Sequence, residues 1–263
     1  MIIPALASNR LGSPLLRAPP WVAAGSAARV QVTWGQPSIA AVASRVGLLI
    51  VVSGFGASGM FLAFAPGPGW LGASGGPSAG DLAWGCGVLA FALALAAAWR
   101  PEWAPWLALP YALAGGVFMG GLALTLETRY PGIALQSVAL AMTVAAVALV
   151  AYVNGWVRAT PHFQAAVYLA TAGIALVYLV ALVLQLAGLP LPWLGLKGTG
   201  AAVWHAFVAL TAALNLVVDF SRVEALRSLP QPTYMQWALA LGMMVTLVWM
   251  YVSVLRLLAA MRR

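Results

Sequence analysis

Residues 46–65 read VGLLIVVSGFGASGMFLAFA, twenty positions without a charged side chain, and Pro66-Gly67-Pro68-Gly69 ends the run. About 20 apolar residues in helical form cross the roughly 30 Å hydrocarbon layer of a bilayer. In lipid no water satisfies free backbone N–H and C=O groups, so such a run is read as a helix. Working outward from it, six more apolar runs follow, at about 82–99, 105–126, 133–156, 164–188, 201–220 and 234–258. Their separators are a Gly/Ser/Pro loop to Asp81, Arg100-Pro101-Glu102, Glu127 to Gly132, Arg158 to His162, a loop holding Lys197, and Pro230-Gln231-Pro232. Proline and glycine at these places punctuate helices. The expected fold is therefore all-α: a polytopic membrane protein of seven transmembrane helices.

Composition agrees. Of 263 residues, 63% are apolar and 7% charged, against about 45–50% and about 25% in soluble domains. That leaves too little polar surface for a water-soluble fold and also excludes collagen-like and disordered chains. A single cysteine, Cys86, excludes an internal disulfide and a Cys-based zinc site. Residues 1–45 carry Arg10, Arg17, Arg29 and Arg45 and no acid, and are read as a basic, flexible cytoplasmic tail. The transmembrane domain then occupies residues 46–263.

The net charge of +8 speaks of topology, because the basic residues punctuate the gaps between apolar runs. Nucleic-acid binding would require them clustered on one soluble face. With the N-terminus inside, the inner segments hold Arg10, Arg17, Arg29, Arg45, Arg100, Arg158, Arg222 and Arg227, and the outer loops hold Arg129 and Lys197. This excess follows the positive-inside rule. Arg256, Arg262 and Arg263 run against it, since seven crossings put the C-terminus outside. Either the tail is tolerated there or the last segment does not cross fully; seven crossings are the expectation. No internal repeat supports an inverted-repeat transporter.

Polar residues inside the spans mark where chemistry can reside. Thr211, Asn215 and Asp219 are spaced four apart, which makes them one stripe along the sixth helix. A carboxylate facing the bundle interior would be a proton-linked or cation-binding group. Alternatively, Asp219 sits at the inner interface, wetted or paired with Arg222. Counting back from the turn at Gln231, its level on the seventh helix is near Met243, with Thr246 within one turn. Thr246 and Ser253 share a face of that helix, with Met250 between them. Thr171, Tyr178 and Gln185 share a face of the fifth helix and are expected to bond across helices. Gly116 and Gly120 form a GxxxG surface for close helix approach. His205 beside Trp204 reads as interfacial.

Gly56-Ala57-Ser58-Gly59 matches the GxSG of rhomboid proteases, with His205 as the one histidine inside a span. The motif is cheap in a chain with 27 glycines, and the serine lies in the first span, in the wrong chain order. HExxH, Walker and dinucleotide motifs are absent. The chain is read as non-enzymatic and without a cofactor.

Four stretches carry a family resemblance: Trp106 to Gly120 (WLALPYALAGGVFMG), Thr128 to Gln136 (TRYPGIALQ), Leu214 to Phe220 (LNLVVDF), and Tyr234 through Thr246 to Arg256. In order and content they resemble the bacterial Bax inhibitor-type, YccA-like membrane proteins. The resemblance implies a seven-helix bundle with the last helix at its centre, in a bacterial inner membrane. It further implies one of two roles. The first is a pH-influenced calcium leak or sensor; the second is a non-transporting modulator of a membrane protease or stress-response complex. In the calcium-leak relatives, acids on the sixth and seventh helices form a proton-sensitive pair. Asp219 matches the sixth-helix acid. The seventh-helix position is Thr246 by depth, or Ser253 one heptad on, and a further acid expected from the resemblance is replaced by Gly115. Because neither hydroxyl ionises, the shared-proton device lacks its second carboxylate. The expected ion or proton site is thus Asp219, Asn215, Thr211, Thr246 and Ser253, with lipid, calcium or protons, or a membrane protease complex as partners.

Overall fold

A computed structural model describes residues 34–35, 38–64, 78–188, 199–227 and 231–262. Residues 1–33, 36–37, 65–77, 189–198, 228–230 and 263 lie outside the described residues, and with them Arg10, Arg17, Arg29 and Lys197. Seven helices cross the bundle: α1 (Ile39–Phe64), α2 (Ala79–Trp99), α3 (Ala104–Glu127), α4 (Ile133–Val153), α5 (Pro161–Leu186), α6 (Thr199–Arg227) and α7 (Tyr234–Met261). All seven are long and apolar enough to cross a membrane, α3 being counted with the short 3-10 turn Pro101–Trp103 that leads into it.

Two ends differ from the sequence reading. Helix α1 begins at Ile39, so Ile39–Arg45 belong to the first span and not to the tail. Arg45 is tolerated inside the helix because its guanidinium lies 5.2 Å from the Trp237 ring centre and its Nη1 donates to the Ala41 carbonyl at 2.7 Å. A cation over an indole face keeps an attractive partner while its stem lies along apolar surface. Helix α6 continues past residue 220 to Arg227, since no proline interrupts the chain before Pro230. Beyond it, Gln231–Pro232 pairs antiparallel with Trp34–Gly35, a short clasp between the entries to α7 and α1.

Helix α7 packs against α1, α2, α3, α4 and α6, which places the last helix at the centre. Met250, Val254 and Leu255 along it are buried. Half of its most apolar stretch is buried, as is half or more of that of the α3 span, whereas α5 is peripheral. Contact between α1 and α3 is made by glycine. Cβ atoms built on Gly116 and Gly120 would lie 2.7 Å from the Ser53 Cα and 2.8 Å from the Ala57 Cα, and one on Gly56 would lie 2.6 Å from the Leu113 carbonyl oxygen. These are backbone contacts, so the GxxxG surface read from the sequence is where the two helices touch.

The TRYPGIALQ turn joins α3 to α4. Gly132 takes φ +82°, a left-handed conformation that glycine adopts without a Cβ penalty. The Glu127 carboxylate accepts the backbone N–H groups of Gly132 and, at 2.9 Å, of Ala134. It therefore caps the N-terminus of α4, where free donors and the helix dipole favour an anion. Arg262 closes the same corner, donating to the Pro131 carbonyl at 3.3 Å and to Gln136 Oε1. Helix α7 thus runs from the α1 entry at one end of the bundle to the α3–α4 turn at the other, a full crossing. Glu127→Ala is expected to lower stability by about 1 kcal/mol, the usual cost of a lost cap. Thermal unfolding in detergent micelles, followed by near-ultraviolet circular dichroism, measures it.

Candidate functional site

Helices α6 and α7 form an antiparallel pair, and Asp219 lies on the face of α6 turned towards α7. Its side chain is 13% exposed. Thr246 on α7 donates its hydroxyl proton to Asp219 Oδ2 at 2.6 Å, while the Gly242 carbonyl within its own helix stands farther away, at 3.3 Å. The depth count from Gln231 therefore leads to the observed contact. Arg222, one turn along α6, places Nη1 3.9 Å from Asp219 Oδ1. Its side chain is 55% exposed and lies over the Tyr168 ring of α5 at 5.4 Å. One oxygen of Asp219 is thus held by a neutral hydroxyl from inside the bundle, and the other faces a solvent-reaching guanidinium. Both sequence readings of Asp219, the interior acid and the partner of Arg222, are present in one arrangement.

The remaining polar residues divide. Asn215 Nδ2 donates to Thr171 Oγ1 of α5 at 2.7 Å and to the Thr211 carbonyl at 3.0 Å. Thr211 is buried and donates to the Phe207 carbonyl at 2.9 Å. The stripe is real, but its Asn215 end fastens α5 to α6. Tyr178 supports the same contact through an edge-on meeting with Trp204 at 6.4 Å, and the Gln185 side chain lies outside the described residues. Ser253, also buried, donates to the Trp249 carbonyl at 2.8 Å. It stands seven residues from Thr246 on α7, about 10 Å along the axis, and is not in contact with Asp219. A serine in a membrane helix satisfies itself on the preceding turn when no partner is in reach. Ser58 is exposed on α1, while Gly56 of the same motif packs against α3.

A second polar contact went unread in the sequence. Tyr152 near the end of α4 donates its phenol to Glu224 Oε2 of α6, and its ring meets Phe220 at 5.9 Å. The two residues are 72 positions apart, and no spacing or motif in the sequence links them. Among the described residues no group of three or more His, Cys, Asp or Glu side chains assembles that could hold a metal. A cation at Asp219 would therefore meet one carboxylate together with neutral oxygens.

Seven apolar helices around a central last helix, with a carboxylate set between the last two, define a polytopic integral membrane protein. A family model described as Bax inhibitor 1 like matches residues 25–263. The chain belongs to the Bax inhibitor 1-like family, as the resemblance in its motifs implied. Comparison with curated proteins and with solved structures returned no match.

Proposed function

We propose that the protein is a pH-influenced passage or sensor for cations, calcium among them, with Asp219 as its titrating and cation-facing group. The supporting observation is the Asp219–Thr246 hydrogen bond across the α6–α7 contact. A carboxylate shielded from water between two spanning helices has few structural uses and is the usual form of an intramembrane ion or proton site. Helix α7 contains no Asp or Glu, so protonation acts on one carboxylate and not on a shared pair. Arg222 supplies a competing cation from the solvent side. Loss of a proton leaves Asp219 held by Thr246 and Arg222, and an incoming cation has to displace the guanidinium.

In this reading the N-terminus is cytoplasmic and the membrane is a bacterial inner membrane. Arg45, Arg158, Arg222 and Arg227 then gather at the inner end of the bundle, as the positive-inside rule requires. The protein acts without catalysis. Purified protein in calcium-indicator-loaded proteoliposomes tests the proposal. Wild type is expected to pass calcium at a pH-dependent rate. Asp219→Asn is expected to remove the pH dependence, and Arg222→Gln to raise the flux by weakening the competitor. Wild-type vesicles no leakier than empty ones would end the transport reading and leave the non-transporting modulator, whose effects survive Asp219→Asn.

A further inference from the structure

Helix α1 turns its glycine-contacted side to α3, and a cleft of about 620 Å³ is left between α1 and α4, floored by α6 and α7. That volume lies within the usual range of about 300–1,000 Å³ for ligand sites. On α1 the cleft runs from Ile39 to Ile50 and on α4 from Met142 to Val153. Each stretch is about 17 Å at 1.5 Å per residue, close to half of the roughly 30 Å hydrocarbon layer. One end of the cleft therefore stands at an interface, and the other at the middle of the membrane.

The lining is apolar apart from Tyr152 and Glu224, and these two sit together at the interfacial end. Ile39, Leu149 and Val153 both line the cleft and are exposed, so it opens sideways between α1 and α4. In a bilayer that opening faces hydrocarbon. The cleft thus has the depth of one leaflet, an apolar shaft, and a carboxylate at headgroup level. We infer that it is a binding site for one acyl chain of a membrane phospholipid whose headgroup carries a primary ammonium, with Glu224 accepting the ammonium. Tyr152 steers the carboxylate by donating to Oε2, which leaves Oε1 to receive the N–H donors. Glu224 is the one charged side chain in the cleft lining, so an anionic headgroup seated there would find no cation in the lining to receive it. The site is separate from Asp219, whose side chain does not line the cleft.

The test is native mass spectrometry of the full-length protein in detergent, incubated with equal amounts of palmitoyl-oleoyl phosphatidylethanolamine and phosphatidylglycerol. Retention of the ethanolamine lipid is expected to exceed that of the glycerol lipid about tenfold, the effect of one charge-assisted hydrogen bond. Glu224→Gln is expected to erase that preference. Gly47 lines the cleft, and a Cβ built there meets no atom within 4 Å. Gly47→Phe is therefore expected to fill the shaft without backbone clash and to remove bound lipid while the melting temperature holds. Equal retention of both lipids by wild type would overturn the inference. So would undiminished lipid binding by a folded Gly47→Phe variant, which would place the bound lipid elsewhere on the bundle, and so would absence of bound lipid from wild type, which would leave the cleft to a second copy of the chain or its own N-terminal segment.

Discussion

Gly116→Ala is expected to destabilise the bundle by about 2 kcal/mol, the cost of forcing one methyl group into a contact that cannot open locally. Its Cβ would lie 2.7 Å from the Ser53 Cα, and a backbone atom cannot rotate away as a side-chain tip can. The whole of α1 has to move off α3, and Gly120 against the Ala57 Cα at 2.8 Å resists the same movement. Without a hydrophobic drive between helices in lipid, close packing of this kind carries much of the association. Adding Gly120→Ala to Gly116→Ala is expected to lower stability further but by less than the sum, because once α1 has moved the second methyl meets less resistance. Gly54→Ala is the control. It lies on the opposing helix α1, next in sequence to the Ser53 that Gly116 meets, yet its Cβ would meet nothing within 4 Å, so a change within about 0.5 kcal/mol is expected. Denaturation of the folded protein in mixed micelles by rising SDS fraction measures all four. Equal stability of Gly116→Ala and Gly54→Ala would show that the α1–α3 contact does not hold the bundle.

The second large effect is expected at Thr246. Thr246→Asp places a second carboxylate where the hydroxyl now stands 2.6 Å from Asp219 Oδ2. Two carboxylates at hydrogen-bond distance share one proton and titrate as a coupled pair. The wild-type site, with one acid, is expected to titrate in a single step. The variant is expected to show two steps separated by more than about one pH unit. Infrared difference spectra of the protonated carboxyl C=O stretch follow both titrations independently of transport. Thr246→Ser keeps the donor and is expected to leave the single step unchanged. Two steps in wild type would mean that another acid reaches Asp219, contrary to the Thr246 geometry.

The seven crossings were legible because each apolar run meets the bilayer's length requirement without help from its neighbours. The helix ends were less so. Arg45 reads as a stop in the sequence, and only Trp237, brought beside it by α7, explains its place inside α1. Charged residues at 222–227 likewise suggested an end to the sixth span, although local backbone chemistry lets α6 continue until proline intervenes. At the site, helical periodicity put Thr211, Asn215 and Asp219 in one stripe, and hairpin counting put Thr246 near the acid. Periodicity does not say which neighbour a stripe faces. Asn215 turns out to bind Thr171 of α5, and Ser253 keeps to its own helix.

Membrane residence, the number of spans, the GxxxG face and the lone acid without a second carboxylate all follow from residue types and their spacing, because lipid acts on each segment separately. The pairing of Asp219 with Thr246, of Glu224 with Tyr152, and the cleft between α1 and α4 belong to the packed bundle. The pairings join residues 27 and 72 positions apart, and the cleft lies where α1, in glycine contact with α3, stands apart from α4. Which helix yields and which stays apart depends on how all seven pack at once, and no single span carries that information.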